Sequence, residues 1–96
     1  TKIYVASLKN KIVATGSLHE GYIRSVFVNP SYHKKGIGAK LVGCLEKILK
    51  KTGYSSVFLR SSKYAVVFYK KLGFKEVEKI NPPEVGEMTI MRKKVR

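Results

Sequence analysis

The 96-residue sequence has no aspartate, no glutamine, one cysteine, two histidines and three prolines, and its 6 acids, all glutamate, face 20 Lys plus Arg. Each scarcity removes chemistry. Without Asp there is no aspartyl phosphate, no Ser-His-Asp triad in its usual form and no aspartate cluster for Mg²⁺ or Ca²⁺. Cys44, His19 and His33 together make neither a disulfide framework nor a Cys/His zinc site within one chain, so no metal is expected. No apolar run approaches the roughly 20 residues of a membrane-spanning helix, and no secretory pattern opens the chain. No membrane partner is expected, and a reducing cytoplasm is the expected setting. Glu, Tyr, Lys, two His, one Cys and the backbone amides are what remains for catalysis.

The hydrophobic fraction of 44% lies in short interrupted runs, which suits one α/β domain with a single modest core. The net charge of +14 draws an anion: nucleic acid, acidic lipid or a phosphorylated small molecule. Two runs rich in Ile, Val, Tyr and Thr, Lys2 to Leu8 and Lys11 to Leu18, flank the turn-prone Lys9-Asn10 and read as a hairpin. A third strand, Tyr22 to Val28, stops at Asn29-Pro30, because proline offers no ladder donor. From Gly36 the period becomes helical. Ile37, Leu41, Cys44, Leu45 and Ile48 form an apolar stripe, Lys40, Glu46, Lys47, Lys50 and Lys51 take the other side, and Thr52-Gly53 ends the helix. Cys44 is expected to pack. A fourth strand, Ser55 to Arg60, precedes a second helix, Lys63 to Leu72, with Ser62 as its N-cap; Phe74 to Ile80 and Met88 to Lys93 are further strands. The order is β-β-β-α-β-α-β-β.

The chemistry concentrates where the third strand meets the first helix. At a helix start the amide hydrogens lack intrahelical partners and the peptide dipoles align, so phosphate oxygens are natural guests. Gly36 and Gly38 remove side chains that would hold a pyrophosphate off the backbone, and Lys34 with Lys35 raise the local potential. A dinucleotide-binding fingerprint fails because Leu41 stands where its third Gly or Ala belongs. Gly38 and Gly43 have P-loop spacing, but Cys44-Leu45 follows instead of Lys-Ser/Thr. An RNA-binding KH clamp needs G-x-x-G, which does not occur here.

The segment His33-Lys34-Lys35-Gly36-Ile37-Gly38 resembles the acetyl-CoA loop of the GNAT superfamily of N-acetyltransferases, Gln/Arg-x-x-Gly-x-Gly/Ala. Ser62-Lys63-Tyr64-Ala65-Val66-Val67-Phe68-Tyr69-Lys70-Lys71-Leu72-Gly73-Phe74 resembles the same family's Asn-x-x-Ala-x-x-Phe-Tyr-x-x-x-Gly-Phe. The resemblance covers residues 1 to 96. It implies a GNAT-like mixed, mostly antiparallel twisted sheet flanked by two main helices, without the family's usual first strand and the two helices after it.

It also implies acetyl-CoA as co-substrate and an amine as acceptor. The amides of Lys34, Lys35, Gly36, Ile37, Gly38 and Ala39 would wrap the pyrophosphate, with His33 at the head of the loop. The main chain of Val26 and Val28 would pair with the pantetheine arm, and the Val26 or Phe27 amide would donate to the thioester carbonyl. Tyr69 would protonate the departing thiolate, Phe68 would pack beside it, and Ser62 stands where Asn reaches the pantetheine. Some members carry a glutamate base on the strand before the loop. This chain has Tyr22 there, which leaves Glu20 and His19 as the nearest bases. The positive field disfavours polyamines or Lys-rich tails as acceptors.

Two other readings stand beside this one. Lys34, Lys35, Lys40, Lys47, Lys50 and Lys51, with Tyr32, Tyr54 and Tyr64 available for stacking, fit a basic nucleic-acid-binding module. The second is a relative that keeps the coenzyme without turnover. A homodimer would cover the flank left open by the missing elements.

Overall fold

The structure is a computed structural model that describes residues 2–32 and 36–95. Its elements are β1 (Lys2–Leu8), β2 (Lys11–His19), β3 (Tyr22–Val28), α1 (Ile37–Lys51), β4 (Ser56–Ser62), α2 (Val66–Lys71), β5 (Lys75–Ile80) and β6 (Met88–Lys94), in the expected order. The six strands form one sheet, β1-β2-β3-β4-β6-β5, in which β3 and β4 are parallel neighbours and every other adjacent pair is antiparallel. Because β4 and β5 both run against β6, they are parallel to each other. Two crossovers, β3-α1-β4 and β4-α2-β5, therefore step across the sheet in one direction. Right-handed connection puts both helices on the same face, and the core is one-sided: Leu41, Val42, Leu45 and Leu49 of α1 and Tyr69 of α2 pack with Ala14, Leu18, Ile23, Val57, Leu59 and Met91.

The hairpin turn is explicit in the backbone. Lys9 and Asn10 have φ of 51° and 66°, the paired positive values that let a two-residue turn follow the strand twist. α1 closes on β2 where the strand has no side chain: a Cβ on Gly16 would sit 2.9 Å from Leu45 Cδ1. Leu45 is fully buried. Leu45→Ala should therefore destabilise by about 3 kcal/mol, because the rigid sheet cannot collapse into the void. Thermal denaturation is expected to show a fall of at least about 10 °C.

Two expectations about the helices are corrected. The buried stripe of α1 is Leu41, Val42, Leu45 and Leu49, so Cys44 does not pack; it is exposed and faces a groove along β1. The arc is rotated because α1 lies over β2, β3 and β4, and Cys44 points past the β1 edge. Nor does Ser62 cap α2. β4 continues to Ser62, which pairs with Met88 across to β6, and the helix starts at Val66 after Ala65, which makes no side-chain cap bond. Ser62 acts through its main chain: its carbonyl accepts from Ser61 Oγ at 2.7 Å and from the Ala65 amide at 3.1 Å. The long β4–β6 ladder has drawn into the sheet a residue that local propensity assigns to a cap.

Candidate active site

The parallel seam of the sheet opens almost at once. β3 and β4 pair at Tyr22 with Phe58 and at Ile23 with Leu59, and the ladder ends there. The rings of Tyr22 and Phe58 stack with centroids 5.4 Å apart and hold the closed end. On its other side β3 is bulged. Its register against β2 passes from Leu18↔Ile23 to Ser17↔Ser25, so Arg24 has no opposite number. A gap bounded by two strands therefore runs from Arg24 toward the end of β3.

Register also aims the amides. The Asn29 amide donates to the Val13 carbonyl at 2.8 Å, so alternation along the strand turns Ser25 and Phe27 toward β2 as well. Val26 and Val28 turn their main chain toward the gap, and Phe27 turns its own toward β2.

At the open end the strand turns under Asn29, whose Oδ1 accepts from the Ser31 amide at 2.9 Å and whose carbonyl accepts from the Tyr32 amide at 2.8 Å. His33, Lys34 and Lys35, three of the expected loop residues, lie outside the described residues. Gly36 follows as the N-cap of α1 with φ 75°, and Ile37, Gly38 and Ala39 form the first turn. The reason for glycine differs between the two positions. A Cβ on Gly36 would meet nothing within 4 Å, so what matters there is the left-handed backbone, not room for a guest. Gly36→Ala should weaken the turn by about 1 kcal/mol; urea denaturation should show the midpoint falling with an unchanged slope.

Gly38 is the position where space counts. A Cβ there would stand 3.4 Å from both Val28 Cγ2 and Phe68 Cζ. The end of β3, the first turn of α1 and the second helix thus meet at one residue. Phe68, partly exposed, touches Tyr69 edge-on with ring centroids 5.1 Å apart, and Tyr69 touches Phe74 the same way at 5.8 Å. Tyr69 is buried, and burial pushes its hydroxyl above the usual phenol range.

His19 and Glu20 sit at the other end of β3. Both are exposed, Glu20 with φ 55° in the β2–β3 turn, about 20 Å along the strand from Val28. They line a cleft of about 220 Å³ with Tyr22, Ile23, Arg24 and Arg60. Sequence reasoning missed both arginines and the bulge. The bulge is a matter of register within the β2–β3 hairpin, and the arginines are brought together only by the register of β3 against the distant β4. Among the described residues no three His, Cys or Glu side chains gather to hold a metal, and no helix is long and apolar enough to cross a membrane. The three tyrosines considered for base stacking are dispersed: Tyr54 packs beside Gly21 at one end of α1, Tyr32 lies before its other end, and Tyr64 is exposed under the Lys63 ammonium.

A one-sided α/β sheet parted between two parallel strands, with a glycine-started helix and a Phe-Tyr pair at the parting, is the frame on which the candidate site is built. The sequence matches the acetyltransferase (GNAT) domain family over residues 1–95. The chain belongs to that family. It is similar to a glucosamine 6-phosphate N-acetyltransferase of Trypanosoma brucei brucei, 33% identical over 90 residues, which are 82% of this chain and 61% of the relative. The structure is similar to a GCN5-related N-acetyltransferase from Rhodopseudomonas palustris, with TM-score 0.89, 25% identity, and 97% of this chain matched to 61% of that one. An aminoglycoside 6'-N-acetyltransferase solved with coenzyme A has TM-score 0.80 and 18% identity, and matches 98% of this chain to 72% of its own. The chain therefore spans about 61% of the length of the first two.

Proposed function

We propose that this domain binds acetyl-CoA in the gap between β3 and β4 and transfers its acetyl group to an acceptor amine by direct attack on the thioester. The observation that carries the reading is the meeting at Gly38 of β3, α1 and α2, which brings together Gly38 and Phe68, 30 residues apart in two sequence motifs. The pyrophosphate would lie against the first-turn amides around Gly36, Ile37, Gly38 and Ala39, where the helix dipole and Lys34, Lys35 and His33 favour negative charge. The pantetheine arm would run along the gap-facing main chain of Val26 and Val28 like an added strand. Phe68 would wall the gap, and the Ser62 carbonyl, already engaged, keeps that residue in a positioning role.

Attack places negative charge on the thioester oxygen, and the Val26 amide is aimed to receive it. Tyr69 attends the sulfur. Its raised pKa keeps the phenol protonated at physiological pH, but full transfer to a thiolate of about 8.5 is then uphill by more than about 2 kcal/mol. The hydroxyl accordingly acts first as a hydrogen-bond donor to the departing sulfur, and the proton lost by the attacking amine completes the thiol. Glu20 or His19, acting through water from the closed end, would take the earlier proton, the one whose loss turns the acceptor ammonium into the attacking amine.

Calorimetric titration with acetyl-CoA tests the reading. One saturable site of 1:1 stoichiometry is expected, weakening as salt is raised because the protein's net charge of +14 attracts the phosphates. A flat titration at millimolar acetyl-CoA ends it.

A further inference from the structure

We propose that the acceptor amine carries a phosphate monoester, held by Arg24 and Arg60 across the closed end of the gap; this rests on the acetyl-transfer reading above. The register that pairs Tyr22 with Phe58 and Ile23 with Leu59 sets Arg24 against Arg60 at the next step, the step at which pairing stops. Like charges opposed on adjacent strands repel, and among the described residues no ion pair offsets this. Both side chains are exposed, and among the described residues neither has a carboxylate within ion-pair distance. Acids are scarce, 6 in all, and two of them, Glu46 and Glu76, are taken by Lys93 and Lys70. Glu20 lines the same cleft and still pairs with neither arginine.

Two arginines lining one cleft of about 220 Å³, neither in an ion pair among the described residues, match a dianion in charge. A phosphate monoester carries about −1.5 to −2 at neutral pH, and the planar donor forks of arginine grip its oxygens in pairs. A carboxylate would leave one arginine uncompensated. The site is also distinct from the coenzyme's phosphate cradle, which lies beyond the far end of β3, itself about 13 Å from Arg24. Val26, whose amide faces the gap, is two residues from Arg24, or about 7 Å. An anion anchored at the arginines thus delivers an amine a few bonds away to the thioester, with Glu20 beside it to attract the ammonium.

The test begins with inorganic phosphate titrated at constant ionic strength into protein saturated with CoA, so that the coenzyme site is filled. One saturable site is expected, weakened at least tenfold by Arg24→Gln and by Arg60→Gln, while Lys79→Gln, exposed on β5, stays within twofold. In turnover with acetyl-CoA, O-phosphoethanolamine should exceed ethanolamine at least a hundredfold in kcat/KM, mainly through KM, and Arg60→Gln should erase most of that advantage. Equal weakening by Lys79→Gln means that the overall field alone binds phosphate and overturns the proposal. So does equal use of the two amines, or a preference for glycine over glycinamide with none for the phosphorylated amine. If acetyl-CoA binds and the arginine variants leave phosphate affinity unchanged, this inference fails by itself. If acetyl-CoA does not bind, the transfer reading fails, and phosphate titration of the free protein still reports on the arginines.

Discussion

Gly38→Glu is expected to reduce acetyl-CoA affinity by at least a hundredfold, about 2.7 kcal/mol, with the protein still folded. The first added carbon already stands 3.4 Å from Phe68 and Val28, an ordinary contact that both neighbours accept. The rest of a glutamate side chain has to enter the gap, where its carboxylate would confront the coenzyme's phosphates at the dipole's positive end. Gly38→Ala separates this effect from a trivial one: it should bind acetyl-CoA within about threefold of wild type and gain helix stability of up to about 1 kcal/mol. Equal losses in the two variants would point to helix distortion, and a glutamate variant that binds normally would move the phosphates elsewhere.

Tyr69→Phe should lower kcat by about 10- to 100-fold, with acetyl-CoA affinity within twofold and stability within about 1 kcal/mol. The ring keeps its edge contacts with Phe68 and Phe74, so only the hydroxyl is tested. Wild-type kcat should not fall on the alkaline side from loss of this proton until pH exceeds 10, because burial resists ionisation. Stability follows the same sign. Below pH 10 the phenol is neutral in both folded and unfolded chains; above it the unfolded chain ionises first, so the folded state loses stability as pH rises through that range. In Tyr69→Phe this alkaline loss should be smaller, as read by denaturation at pH 9 and pH 11. Full activity in the variant would leave a coenzyme-binding domain in which the phenol takes no part.

Much of the fold was readable because its signals are local. The period-two runs of β1 to β3, the turn at Lys9-Asn10 and the stop at Asn29-Pro30 are each decided within a few residues. α1 is nearly as plain, since 15 residues of helical period outweigh any competing pattern. The errors fall where distant pairing overrode local preference. Ser62 has the chemistry of a cap but a place in the β4–β6 ladder, and Cys44 has stripe spacing but looks beyond the sheet.

By itself the sequence determined the order of elements and the two motifs, because glycine placement, helical period and strand alternation are properties of neighbouring residues. Tertiary structure alone decided that β3 parts from β4 after Ile23, that Val26 and not Phe27 turns its amide to the gap, and that Arg24 confronts Arg60. The amide direction depends on the register of β3 against β2, and the parting and the arginine pair on register between segments more than 30 residues apart, set by how α1 and the β4–β6 ladder settle against the shared core; no local pattern encodes either.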